Sequence, residues 1–148
     1  MPFEVRVISN TPLVGESDIR EAVKIFMTQI GYISHGSENN TALALFLDCF
    51  LLHPDRAWTA EELMSEISTS RPTLYRHLNR LKALDILEET SLPNPKEPSS
   101  KPKKGYRLKY GNFSKAWTFT DAHIKVALEN YNTSVEHIQK LLEEYKKA

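Results

Sequence analysis

The stretch from Thr59 to Leu87, TAEELMSEISTSRPTLYRHLNRLKALDIL, constrains the fold more than any other part of the chain. It reads as two short helices joined by a tight turn. Thr59 with Glu62 forms a capping-box pair, a hydroxyl at the N-cap answered by a carboxylate three residues on. Leu63, Met64 and Ile67 then give the first helix a single apolar face. Ser68, Thr69 and Ser70 interrupt it, because their hydroxyls compete for backbone hydrogen bonds and favour caps over helix interiors. A second helix starts at Ser70 or Arg71. Pro72 is tolerated there, since first-turn N–H groups have no partner within the helix.

The second helix sorts its residues by face. At about 100° per residue, Leu74, Leu78 and Leu81 share one stripe with His77 at its edge. Arg76 and Asn79 project from the opposite side, flanked by Thr73, Tyr75 and Arg80. A leucine back with an Arg/Asn/Thr/Tyr front suits a DNA major groove: Arg grips guanine through two hydrogen bonds, Asn grips adenine, and Thr or Tyr takes phosphates. An isolated helix of this kind is equally an ordinary amphipathic surface helix with a solvated polar face. Its neighbours decide between the two.

Charge favours the first reading. The chain is neutral overall, yet residues 71–109 hold ten basic side chains against four acidic ones, a net +6, leaving 9 basic and 15 acidic elsewhere, a net −6. One basic surface on an otherwise acidic protein is expected where a polyanion is the partner. Cys49 is the only cysteine, which excludes an intramolecular disulfide and any multi-cysteine metal site; set in an apolar helix, it reads as a small core residue. No apolar run approaches the roughly 18 residues that a spanning helix needs. The first ten residues alternate and carry charge, unlike a secretory signal, so a cytoplasmic protein is expected.

Before the helix pair, Phe3 to Ile8 alternates apolar and charged residues and predicts a short strand. A helix opening at Ser17 or Asp18 carries Ile19, Ala22, Val23, Phe26, Met27 and Ile30 at helical spacing and stops at Gly31. It packs on the core or crosses to a second subunit. Ser34 to Asn39 is polar and turn-like, with His35 as a solvated loop histidine. A buried helix follows from Asn40 or Thr41 to His53-Pro54, and Trp58 closes the core before the Thr59 cap.

After the pair, Leu87–Ser91 and Tyr106–Tyr110 predict the two strands of a hairpin, with Tyr106, Leu108 and Tyr110 on the packed face. Four prolines and four lysines fall between the strands, in LPNPKEPSSKPKKG; this segment is either a disordered linker or a phosphate-tracking loop. In the C-terminal part, Trp117, Ile124, Leu128, Tyr131, Val135, Ile138, Leu142 and Tyr145 recur at heptad spacing with one gap, at Asp121. Weak helix formers at Asn130–Ser134 suggest a bend. The seam either packs back on the domain or pairs two copies; regulators that read two-fold half-sites need the latter.

Taken in this order, the elements from about Asn40 to Tyr110 resemble the winged helix-turn-helix of MarR/ArsR-type transcriptional regulators. The resemblance implies a mainly α fold with a small β-hairpin (α+β), in three parts: an N-terminal strand and helix at 1–38, a winged-helix DNA-binding domain at 39–111, and a C-terminal dimerisation helix at 112–148. It implies a recognition helix at about 70–84 in the major groove and a basic wing at about 92–105 on the DNA backbone or minor groove. Ser70, Arg71, Thr73, Tyr75, Arg76, Asn79 and Arg80 would then read or hold DNA from the helix, and Lys101, Lys103, Lys104 and Arg107 from the wing. The expected partners are double-stranded DNA and a second copy of the chain. ArsR-like metal sensors carry Asp-x-His and His-x-x-His/Glu on the dimer helix. Here Asp121-Ala-His123 and His137-Ile-Gln-Lys140 depart from that pattern, Lys140 replacing a ligand with a cation, so no metal or other cofactor is expected. No glycine-rich phosphate loop or nucleophile–base constellation suggests an enzyme. The alternative is a winged-helix protein-interaction subunit of a transcription or replication complex.

Overall fold

The computed structural model describes residues 3–34, 40–93, 96, 97 and 99–147. The expectation for His35 and its turn, and part of the proline-rich tip, lie outside these residues. The fold is mainly helical with one small antiparallel sheet. Its elements are α1 (Ile19–Gln29), α2 (Asn40–Leu43) running on into a π-helix (Ala44–Leu51), β1 (Trp58–Thr59), α3 (Ala60–Glu66), α4 (Arg71–Ala83), β2 (Leu87–Leu92), β3 (Lys103–Leu108) and α5 (Phe113–Lys147).

Local chemistry sets the helix ends as the sequence indicates. Thr59 Oγ1 accepts from the Glu62 N–H at 3.2 Å, and Glu62 Oε1 accepts from the Thr59 N–H at 3.0 Å, completing the capping box. Ser68 takes a left-handed conformation, φ +51°, which ends α3. Ser70 then caps α4 by accepting from the Thr73 N–H. The second helix therefore restarts at a new angle after a four-residue turn, Ile67–Ser70.

Three expectations about strands need correction. The sheet has three strands rather than two, because Trp58 and Thr59 pair with Tyr106 and Gly105 on the free edge of β3. On the other edge β2 pairs with β3 from Leu87↔Leu108 to Leu92↔Lys103. The second wing strand begins at Lys103 and ends at Leu108; Tyr110 is not in it, since Lys109–Gly111 form a 3-10 turn with Tyr110 at φ +59°. The segment from Phe3 to Ile8 forms no strand. It is an extended strap whose donors go to helix-end carbonyls: Glu4 N–H to Ala83 at 3.0 Å, Arg6 N–H to Ile30 at 3.1 Å, Ile8 N–H to Gln29 at 2.9 Å. Gly31, at φ +83°, lets the strap close in, for a Cβ there would sit 2.6 Å from the Arg6 Cβ.

The core lies between the sheet, α3, the back of α4 and the π-helix. Phe46, Phe50, Trp58, Leu63, Leu74, Leu78 and Leu81 are at most 1% exposed. In the π-helix, ALFLDCFL holds Asp48 as its one charged side chain, and its last wide turn is closed by Leu52 N–H donating to the Leu47 carbonyl at 2.9 Å. Cys49 is fully buried, and burial pushes its thiol up to about 12. It is the inert core residue its setting suggests.

α5 is a single helix of 35 residues, about 52 Å long. The bend expected at Asn130–Ser134 does not occur: the Thr133 and Ser134 hydroxyls donate back to the Glu129 and Asn130 carbonyls, at 3.1 and 3.0 Å, without breaking the helix. Its first turns are fixed. Ala116 and Thr120 are fully buried, Thr120 Oγ1 donates to the Leu84 carbonyl at 2.5 Å, and Trp117 packs edge-on against Phe26 at 5.3 Å. His123, beside Asp85 and stacked on Phe3, and Ile124, which borders the strap, are its last contacts with the body, and beyond them its side chains are nearly all exposed. Among the described residues no helix is long and apolar enough to cross a membrane.

Candidate nucleic-acid interface

α4 stands with its leucines inward and its first two turns projecting. Arg71, Pro72, Arg76 and Asn79 are exposed, while Leu74, Leu78 and Leu81 are fully buried. Arg76 has no ion pair among the described residues and is the freest long side chain on this front. Arg71 reaches Glu61 of α3 at 3.4 Å, both half exposed, a contact that water and salt readily open. Ser70 and Thr73 are occupied with each other, hydroxyl to hydroxyl at 3.1 Å, and with the cap. They shape the helix start more than they offer free donors.

Two of the predicted contacts point elsewhere. Tyr75 is half-buried and packs on the core near Tyr106, whose hydroxyl is pushed up by burial first and then by its Tyr75 neighbour. Arg80 turns toward the strap side and donates from Nη1 to the Tyr32 carbonyl at 3.4 Å. There Glu4, Arg6, Asn79 and Arg80, together with Ile30 and Leu84, line an open cavity of mixed polarity and about 300 Å³.

The wing divides in the same way. Register places Glu88 opposite Arg107, and the guanidinium donates to Glu88 Oε1, from Nε at 2.8 Å. Arg107 is thus half of a cross-strand pair. Lys104 lies 3.4 Å from Glu89, which Lys82 of α4 holds more closely at 2.6 Å. The Lys82 hydrogen bond is the main reason the Glu89 carboxyl lies below its usual range. Lys101 and Lys103 are exposed and have no ion pair among the described residues. The structure therefore brings Arg71, Arg76, Asn79, Lys101 and Lys103 forward as available groups. Tyr75 is half-buried, and Arg80 and Arg107 already have partners within the chain.

Sequence reading missed the joint behind the interface. Asp85, left-handed at φ +61°, ends the turn after α4, accepts from Lys109, and lies 3.0 Å from His123 Nε2 of α5. The Phe3 ring stacks on His123 at 4.4 Å. The end of α4, the exit of the wing, the strap and α5 thus meet at one carboxylate. A left-handed Asp after a helix was the one local signal. His77, at the edge of the leucine stripe, is 6% exposed with Nδ1 unpartnered. Burial first, then the Arg76 and Arg80 charges, hold its imidazole below the ordinary value. His123 is engaged with Asp85 and His137 is exposed on α5; among the described residues no group of three or more His, Cys, Asp or Glu side chains is placed to hold a metal.

Residues 38–90 match the family of helix-turn-helix domains. That span runs from just before α2 to within β2 and includes the α3–turn–α4 pair. No curated protein matches the chain. Among solved structures, it is similar to a possible transcriptional regulator from Methanosarcina mazei Go1, with 11% identity over 89% of this chain and 98% of that one and a TM-score of 0.48. It is also similar to a single-residue variant of ZitR from Lactococcus lactis, with 11% identity over 82% and 83% of the two chains and a TM-score of 0.36. Both scores lie below 0.5 and carry no inference about what this chain binds.

Proposed function

We propose that this chain is a sequence-specific, double-stranded-DNA-binding transcriptional regulator of the winged-helix type that works as a homodimer. Residues 39–111 are the reading unit, and 1–38 and 112–148 brace and pair it. α4 enters the major groove, where Arg76 and Asn79 read base edges and Arg71 holds a phosphate. The wing follows the backbone through Lys101 and Lys103, with Lys104 close by. The observation that carries this reading is the two-sidedness of α4: three leucines fully buried behind, and Arg76 and Asn79 exposed in front. The helix-turn-helix match over residues 38–90 supports it.

The test is a titration of the purified full chain against random duplex at several salt concentrations, followed by selection of a preferred site. Affinity is expected to fall steeply with salt, log Kd moving by about 0.9 per log unit of salt for each phosphate neutralised. A selected sequence is expected to bind far more tightly than random duplex, typically by about 10³ or more. Absence of binding at low salt would overturn the proposal in favour of a protein-interaction subunit.

A further inference from the structure

We infer that α5 pairs with α5 of a second copy in antiparallel orientation, the two-fold axis passing beside Tyr131 and Val135, and that the partner's Tyr145 enters the groove beside Trp117. This rests on the homodimer reading and adds its orientation and a second contact surface.

α5 carries an uncovered apolar stripe. Phe113 and Trp117 of α5 pack on Phe26 within the chain. The same helical face continues through Ile124 (36% exposed), Leu128 (57%), Tyr131 (68%), Val135 (64%), Ile138 (55%), Leu142 (48%) and Tyr145 (81%), with nothing of this chain over it. At 3.6 residues per turn these side chains lie close to one line about 32 Å long. A straight apolar line of 4-3 spacing is matched by another like it through knobs-into-holes packing, and α5 itself is such a partner. Seven side chains of this size, about half exposed, supply on the order of the roughly 800 Å² per partner that stable interfaces bury.

Packing then selects the direction. A parallel pair stacks each residue on its own copy, so Tyr131 meets Tyr131 and Val135 meets Val135, one layer crowded and the next thin. The antiparallel pair sets Tyr131 against the partner's Val135, Leu128 against the partner's Ile138, and Ile124 against the partner's Leu142. Layer volumes are then even, as close packing requires. Leu141, 50% exposed on one flank of the stripe, meets the partner's Ala127 in the antiparallel pair, large against small; in the parallel pair it meets the partner's Lys146. Asp121, the polar gap in the seam, would face its own copy in a parallel pair. In the antiparallel one the same register sets it against the partner's Tyr145, whose hydroxyl can donate to it. Nor do the flanking positions Ala127, Ser134, Asn132 and Gln139 offer the opposite charges that fix parallel register.

The groove completes the fit. Val5, Leu13, Phe26, Ile30, Trp117 and Ile124 line an open, mostly apolar trough of about 390 Å³. It lies at the end of the seam that the partner's C-terminal turns reach. Tyr145 is the most exposed ring of the stripe, and this trough is where the antiparallel pairing puts it.

Sedimentation at several concentrations comes first. A chain that stays monomeric overturns both the homodimer reading and this one. For the dimer, Leu128→Cys carrying a tag and untagged Ile138→Cys are mixed and oxidised; Cys49, fully buried, is left in place. The expected result is a mixed disulfide with little self-linking of either variant. Self-linked products without the mixed one mean a parallel pair and overturn the orientation while the homodimer stands. No cross-link in a proven dimer overturns the seam itself. Tyr145→Ala is expected to weaken the dimer about tenfold and to change Trp117 fluorescence on association; an unchanged dissociation constant overturns the seat in the groove.

Discussion

α4 and α5 carry the same message in sequence and opposite outcomes in structure. Each has one apolar stripe at helical period. On α4 the stripe is closed, Leu74, Leu78 and Leu81 all being fully buried, and the polar front is left to meet a partner. On α5 beyond Thr120 the stripe is open, and it is the apolar face itself that has no cover. Periodicity shows that a face will be buried but not by what. Whether the covering atoms come from the same chain depends on where the helix is aimed, and for α5 that is set at Ala116, Thr120 and the Asp85 joint.

The largest expected effect breaks the closed stripe. Leu78→Ala should cost about 2–5 kcal/mol of domain stability, read by chemical denaturation, because the cavity it leaves is walled by a packed core. On the open stripe, Tyr131→Ala should weaken dimerisation by about 2 kcal/mol, measured by sedimentation, while the unfolding midpoint of the diluted chain stays put. A matching loss of stability in the monomer would mean that α5 folds back and the contrast fails. On the front of α4, Arg76→Ala should lower discrimination between specific and random duplex by about 1–3 kcal/mol with stability unchanged. Equal losses on both DNAs would reduce Arg76 to a phosphate contact.

His77 sits between the two faces of α4 and sharpens the contrast through pH. Its imidazole is held low in the folded state, so as pH falls below the ordinary value of about 6.5 the unfolded chain takes up the proton first. Its contribution to stability is therefore intact above that value and is lost as pH falls. His77→Leu should flatten this component in denaturation curves at pH 8 and pH 5, with stability at pH 8 within about 1 kcal/mol of the parent. The smallest effects separate the wing cations. Lys103→Ala should reduce the salt slope of DNA binding by about 0.9. Arg107→Ala, which breaks the pair with Glu88, should leave the slope alone and cost under about 1 kcal/mol of stability.

Much of the reading unit was legible because its signals are local. The Thr59/Glu62 box, the Ser70 cap and the leucine spacing of α4 each act over a single turn, and each appears where the residues indicate. The misreadings involve partners distant in sequence. Phe3–Ile8 alternates like a strand, but the β3 edge had already been taken by Trp58 and Thr59, fifty residues away in the chain. Tyr110 continued the alternation of Tyr106 and Leu108, yet the turn into α5 claimed it. Arg107 and Arg80 have partners that no local pattern shows, since Glu88 is brought by register and the Tyr32 carbonyl by the fold. The π-helix was hidden because an apolar run without a polar face has no period to read. At the interface, sequence supplied the right kinds of side chain, and folding decided which of them were still free.

The unbroken length of α5 has a consequence of its own. A helix anchored at one end, through Thr120 and His123, and exposed along the rest behaves as a graduated rod. Each residue added after Thr120 would advance the stripe by about 1.5 Å and turn it by about 100°. One extra residue would swing Ile124 and all that follows off the line of Trp117, and seven would bring them nearly back into phase. In the proposed dimer, the distance and angle between the two α4 helices would thereby be written in the number of residues between an anchor and a seam. A lineage of such chains can retune the spacing of the sites it spans by whole heptads, and by almost nothing in between.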